Sequence, residues 1–225
     1  MKLRWRLGRI IAYPLAKILF GLKVKGRENL LKNQGQILVA NHRSHLDPFI
    51  IAVAAEQEIY FMAKKELFQI SRFFSWLIRF WNAIPISREE EFPHSTLKLI
   101  SNLLQKCQTV LVFPEGTRNK SPLPSQLLPF KSGASYLSII NQVPIIPVAV
   151  KGVREIWHGR LSALIDQDIV KSKRHSLNLP TDKTSRISVR FGQPIFPNGY
   201  AKTKNDYETL TQLIKSKIES MLVNG

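Results

Sequence analysis

Five short, almost wholly apolar runs recur along the 225 residues: Ile37–Ala40, Ile59–Ala63, Ala83–Ile86, Thr109–Phe113 and Pro144–Val150. Each is too short for a stable helix and carries no alternation, so each reads as a strand buried on both faces. Stretches of helical periodicity separate them: Pro48–Ala55, Lys65–Trp81, Phe92–Gln108 and Gly133–Ile140. Later, Ile187, Val189 and Phe191 alternate with polar residues as in a half-exposed strand. Leu210, Leu213, Ile214, Ile218 and Met221 recur at helical spacing and close the chain. Strand and helix patterns taking turns in this way predict an α/β fold, here a single domain with a mixed, largely buried sheet flanked by helices. Residues 158–186 are the least regular and read as loops and short helices.

A chain of this length can bury one substantial core, and 44% hydrophobic with 22% charged residues is a globular composition. The charge is lopsided: 33 Lys and Arg against 16 Asp and Glu leave +17. Such an excess attracts polyanions, whether nucleic acid, an anionic bilayer or phosphorylated substrates. The single cysteine, Cys107, excludes an intramolecular disulfide and a multi-cysteine zinc site. It ends an apolar-periodic stretch and is expected to pack as a small core hydrophobe. Residues 1–22 begin with Lys2, Arg4, Arg6 and Arg9 and continue into an apolar stretch that Lys17 interrupts. No small-residue cleavage site follows, and the stretch is too short and charged to span a bilayer. It is expected to be an amphipathic membrane anchor ahead of a domain covering 23–225.

Polar blocks follow three of the apolar runs. Asn41-His42-Arg43-Ser44-His45-Leu46-Asp47 comes directly after Ile37–Ala40. A histidine at a strand's end suits proton abstraction from a hydroxyl, and a carboxylate five residues on can hold its tautomer. That is the logic of a Ser-His-Asp triad with a substrate hydroxyl in place of serine. Asp47 before Pro48 is equally a common helix start, so two readings of the pair stand open. Phe113-Pro114-Glu115-Gly116-Thr117-Arg118-Asn119 ends the run at Thr109. There Gly116 permits an unusual turn, Arg118 can grip a phosphate with its forked donors, and Glu115 can accept from a hydroxyl or hold Arg118. A solvated ion pair in a turn is the alternative. Ala83–Ile86 runs on into Ser87 and Arg88, so a third strand ends in a cation, for which a solvated arginine is the alternative.

Taken together, these blocks and Val143–Val148 resemble the glycerolipid acyltransferase family that includes 1-acylglycerol-3-phosphate acyltransferases. Asn41–Asp47 is similar to its NHxSxxD block, Ala83–Arg88 to its second block, Phe113–Arg118 to FPEGTR, and Val143–Val148 to VPIxPV. Val24–Leu30, Ala63–Phe68 and Phe130–Ala134 resemble the segments between them. Asn82 stands where the second block often has glycine. The resemblance implies His42 as general base and Asp47 as its partner. It puts Arg88, Glu115, Gly116 and Arg118 around the phosphate-bearing acceptor, with Asn41, Ser44, Thr117 and Lys131 in support. It further implies transfer of an acyl group from acyl-CoA or acyl-carrier protein, which are substrates. No cofactor or metal is expected. The acceptor would be a lysolipid such as lysophosphatidate, giving phosphatidate. Another lysophospholipid or glycerol-3-phosphate is the runner-up.

Lys65–Trp81 carries ten large apolar residues against a narrow polar stripe of Arg72, Ser75 and Arg79. That width suits an interfacial helix or the wall of an acyl channel; a buried core helix is the alternative. With the basic N-terminus it predicts a peripheral or monotopic protein on the cytoplasmic face of an anionic membrane. A non-catalytic lipid-binding module and a nucleic-acid-binding protein are the competing classes. The absence of any zinc, helix-turn-helix or RNA motif counts against nucleic acid as a partner. Acyl-chain preference and oligomeric state are not legible.

Overall fold

The computed structural model describes residues 3–86, 94–121, 123, 125–156 and 186–224. The apolar runs lie side by side in one seven-stranded sheet. In chain order the strands are β1 (Lys23–Lys25), β2 (Gln36–Ala40), β3 (Ile59–Lys64), β4 (Ala83–Ile86), β5 (Thr109–Val112), β6 (Ile145–Lys151) and β7 (Ser188–Phe191). Across the sheet the order is β1-β7-β6-β2-β5-β3-β4. Every pairing is parallel except β6 with β7, so the sheet is mixed as predicted. The region 158–185, expected to be irregular, and Arg88 lie outside the described residues.

Among the described residues, seven α-helices accompany the strands: α1 (Leu3–Phe20), α2 (Asp47–Ala55), α3 (Arg72–Phe80), α4 (His94–Gln105), α5 (Gly133–Asn141), α6 (Val153–Ile156) and α7 (Lys204–Val223). Side chains of a strand alternate between faces, and here both faces are dry. On β2, Leu38 and Ala40 join a core with residues of α1, α2 and α3, among them Trp5, Ile51 and Ile78. Ile37 and Val39 join a second core with Ile100 of α4, Leu137 of α5 and Leu210 and Ile214 of α7. The molecule is therefore helix–sheet–helix in three layers, with β2, β5 and β6 at its centre.

Two local expectations are corrected. Lys65–Trp81 is not one helix: a 3-10 turn covers Lys65–Gln69, and Ser71 restarts the chain as the N-cap of α3. Ser71 is extended, at φ −158° and ψ 158°, and its hydroxyl accepts from the Phe74 N–H, which favours a new helix start over continuation. Cys107 is exposed, not buried. It takes a left-handed φ of 57° just past α4, with its N–H donated to Leu104. Helix-terminating geometry thus turns the thiol away from the core.

The N-terminal helix is docked rather than trailing. Trp5 is completely buried and meets Trp81 edge-on with ring centres 5.1 Å apart. Arg9 and Arg27 both reach Glu56 at the end of α2, at 2.9 and 2.7 Å. Gly8 lies so close to the Phe80 ring that a Cβ there would stand 2.8 Å from it, so α1 packs directly on α3 and Trp81.

Candidate active site

Neighbouring parallel strands bring the two richest polar blocks together. Val39 of β2 is level with Val112 of β5, so the segments leaving both strands emerge at the same edge of the sheet, at the carboxyl ends where open α/β sheets hold their ligands. Asn41 fixes the exit of β2. Its side-chain amide donates to the Val150 carbonyl at 2.9 Å and accepts from the Val150 N–H at 2.8 Å, standing in for a backbone rung to β6.

One residue on, His42 Nδ1 lies 3.0 Å from Asp47 Oδ2. The same oxygen accepts from the backbone N–H groups of Arg43 and Ser44, each at 2.7 Å. A carboxylate only accepts, so Nδ1 carries the hydrogen and Nε2 keeps its lone pair. Asp47 is 1% exposed, whereas His42 is partly open. The Phe113 ring stacks on the imidazole at 4.1 Å and 25°, fixing its plane. Asp47 also begins α2 with Pro48 behind it. The reading of Asp47 as a helix N-cap is corrected: Leu46 is the N-cap with no side-chain cap bond, and the Asp47 carboxylate serves the histidine and the turn before it. Ser44 serves the turn, its hydroxyl accepting from the Leu46 N–H.

Glu115 is buried, and its carboxylate faces inward. Oε1 accepts from the His42 N–H at 2.8 Å and Oε2 from the Leu128 N–H at 2.9 Å. Burial pushes its carboxyl above the ordinary value, against the lowering effect of His42, Leu128 and Asn119 as donors. Asn119 completes the connection by donating its backbone N–H to the His42 carbonyl at 2.7 Å. Both peptide groups of His42 are thus held from the segment after β5. Gly116 has φ +67°, and the aliphatic part of Lys131 lies against it, 3.4 Å from where a Cβ would stand. Lys131 also donates its backbone N–H to Pro114. Thr117 and Arg118 are exposed.

His45, three residues from His42, records the charges around the cleft. Desolvation first, then Arg118 and the neighbouring His42 ring, hold its imidazole down from 6.5 to about 4; Asp47 pulls the other way and Lys64 adds to the lowering. Arg118, His42 and Lys64 therefore share one electrostatic neighbourhood. His45 stays neutral near pH 7, while the ring of His42 alone is paired with a carboxylate. The sequence reading gave no role to Phe113, Asn119, Arg43 or Lys64. The first three stand inside the quoted blocks, but only the tertiary pairing of β2 with β5 reveals what they hold.

The model of the Acyltransferase family matches residues 21–151. Over 133 residues the chain is 34% identical to the 1-acyl-sn-glycerol-3-phosphate acyltransferase of Bacillus subtilis (strain 168), a span of 59% of this chain and 63% of that protein. Over 193 residues it is 30% identical to the enzyme of the same name from Streptococcus pneumoniae, covering 84% of this chain and 61% of the relative. The chain thus spans less than two thirds of the length of either. The fold is similar to the crystal structure of the acyltransferase PlsC from Thermotoga maritima, with a TM-score of 0.66 over 98% of this chain and 80% of that one at 20% identity. The histidine–aspartate pair at the end of β2 and the segment after β5 that braces it both fall inside the matched region, and the chain belongs to the Acyltransferase family.

Proposed function

We propose that this protein esterifies the free hydroxyl of lysophosphatidate with an acyl group from a thioester donor, forming phosphatidate, and that His42 is the general base. The observation that carries the reading is the 3.0 Å contact of His42 Nδ1 with a buried Asp47 oxygen, which leaves Nε2 free to accept a proton. In the reaction, Nε2 takes the acceptor's hydroxyl proton as that oxygen bonds to the thioester carbonyl carbon. Asp47 stabilises the imidazolium that forms. Collapse of the tetrahedral intermediate breaks the C–S bond; the thiolate leaves and recovers the proton from His42, so the base is regenerated with no covalent acyl-enzyme. Arg118 is the cation for the acceptor phosphate, with Lys131, whose side chain lies against Gly116, and Arg88 as further contributors. Acyl-CoA or acyl-carrier protein supplies the thioester. Gly116 shapes the turn that presents Arg118.

Lipid access supports the same reading. Ile10, Ile11 and Ile18 of α1 are 60–80% exposed, and Phe73 and Trp76 of α3 are 71% and 58% exposed. The two helices pack on one another, so they offer a large apolar surface of a kind that marks interaction sites on soluble domains. Among the described residues no helix is long and apolar enough to cross a membrane. We infer that α1 and α3 lie in the surface of an anionic bilayer, helped by the +17 charge. The chain then acts as a peripheral or monotopic protein on the cytoplasmic side.

The test crosses lysophosphatidate, other lysophospholipids and glycerol-3-phosphate with both thioester donors, for wild type and His42→Ala. Turnover of lysophosphatidate that falls by about 10²–10⁴-fold in the variant, with vesicle binding retained, is expected. A variant as active as wild type would remove His42 from the role.

A further inference from the structure

The segment after Arg118 is held by two cations that neither the catalytic pair nor the phosphate contact uses. Arg43 is 7% exposed and Arg154, in α6, is 4% exposed. Arg43 Nη2 donates to the Ser121 carbonyl at 2.8 Å and Nη1 to the Leu123 carbonyl at 3.1 Å. Arg154 Nη1 reaches the same Ser121 carbonyl at 2.9 Å. Two guanidinium groups from distant parts of the chain thus converge on one peptide oxygen. Besides the Asn119 N–H bond to the His42 carbonyl, the described contacts of the segment include internal ones: Asn119 Oδ1 accepts from the Ser121 N–H at 2.9 Å, and the Ser121 hydroxyl donates to the Gln126 side chain at 2.6 Å. Its outer residues line an open cleft of about 620 Å³ that includes Arg118 and Lys120. Among the described residues, the two arginines and the Asn119 N–H are the contacts that tie this segment to the β2 and α6 parts of the fold.

Arg43 has a second connection. Its backbone N–H donates to Asp47 Oδ2 at 2.7 Å, the oxygen that also faces His42. A single residue therefore ties the carboxylate of the base's partner to the segment carrying Arg118. The fork geometry matters here, because a guanidinium reaches two carbonyls at once and an ammonium does not.

We propose that Arg43 and Arg154 are positioning residues for phosphate recognition: by holding the Ser121 and Leu123 carbonyls, they present Arg118 to the acceptor at a fixed distance from His42. The proposal rests on the acyl-transfer reading above. It separates two aspects of the reaction: relaxing the segment loosens the grip on the acceptor phosphate, while the His42–Asp47 pair and its access to the thioester stay in place.

The test uses Arg43→Lys and Arg154→Lys in the full chain, each checked for a cooperative thermal transition. For each, the KM for lysophosphatidate rises about tenfold, while kcat and the KM for the thioester change by less than about threefold, as expected for a misplaced binding group. Amide hydrogen exchange at Ser121, Leu123, Ser125 and Gln126 becomes faster in the variants, with β2 and β5 unchanged. An unchanged acceptor KM overturns the proposal, as does a parallel loss in kcat and both KM values, which marks general damage to the fold. If Arg43→Lys does not fold, Arg154→Lys decides by the same criteria, because that residue lies outside the His42–Asp47 segment. Failure of wild type to acylate lysophosphatidate would instead remove the acyl-transfer reading; hydrogen exchange then still tests whether the arginines hold the segment, and unchanged exchange there overturns that as well.

Discussion

A carboxylate whose two oxygens each receive a backbone N–H has little left to offer a substrate, and Glu115 is in that position. The sequence offered it two roles, contact with a hydroxyl or support of Arg118; its buried geometry favours bracing, with His42 rather than Arg118 as the direct recipient. Glu115→Gln tests this sharply. Glutamine supplies one accepting oxygen and an NH₂, so either the His42 or the Leu128 N–H would face another donor. The expected cost is about 1–3 kcal/mol of stability for the unsatisfied group, read by denaturant unfolding. We expect kcat to fall by about 10²-fold as His42 loses its register. A variant with wild-type stability and kcat would show that the two N–H contacts are dispensable. By contrast, the His42–Asp47 pairing was legible from five residues of sequence, because the partner lies across one tight turn. Glu115 was not, because its targets belong to a strand end 73 residues away and to a loop with no periodicity.

Among the elements, the strands were readable and the surface of α3 was readable only in part. Apolar runs such as Ile37–Ala40 and Ala83–Ile86 declare themselves because a strand buried on both faces admits nothing polar. The division of Lys65–Trp81 hid behind its unbroken apolar content, since only the hydroxyl of Ser71 marks the restart. Its wide apolar arc implied a surface for lipid or for the core, and the structure divides it: Ile78 is buried, while Phe73 and Trp76 face outward. The exposed residues of α1 and α3 lead to a further expectation. Replacing Ile11 and Trp76 together by serine removes two large apolar side chains from the proposed bilayer contact without entering the core. Binding to anionic vesicles should weaken by at least about tenfold, since each buried side chain contributes on the order of 1.5–3 kcal/mol, with thermal stability unchanged. Sedimentation with vesicles measures it, and equal binding would move the contact elsewhere.

For the molecule as a whole, acid stability combines two buried or partly buried groups that act in opposite directions. His45 has its folded pKa lowered from 6.5 to about 4, so the stability it contributes is complete above 6.5 and is lost as pH falls towards 4. Glu115 is raised above 4.5, so its contribution is complete below that value and is lost as pH rises through its folded pKa. The two partly cancel in the wild-type curve. His45→Gln removes the first slope alone, and the difference between variant and wild-type unfolding free energies should change steadily between pH 6.5 and 4. A constant difference across that range would show that His45 is not depressed.

The burial of Trp5 under Trp81, with Arg9 held by Glu56, makes the beginning of the chain part of the roof over one core. A protease that clipped after Phe20 would not simply shorten the chain. It would uncover the aromatic floor beneath α1, and the remaining fragment would be prone to aggregate. The helix proposed to meet lipid is therefore also one that closes the core.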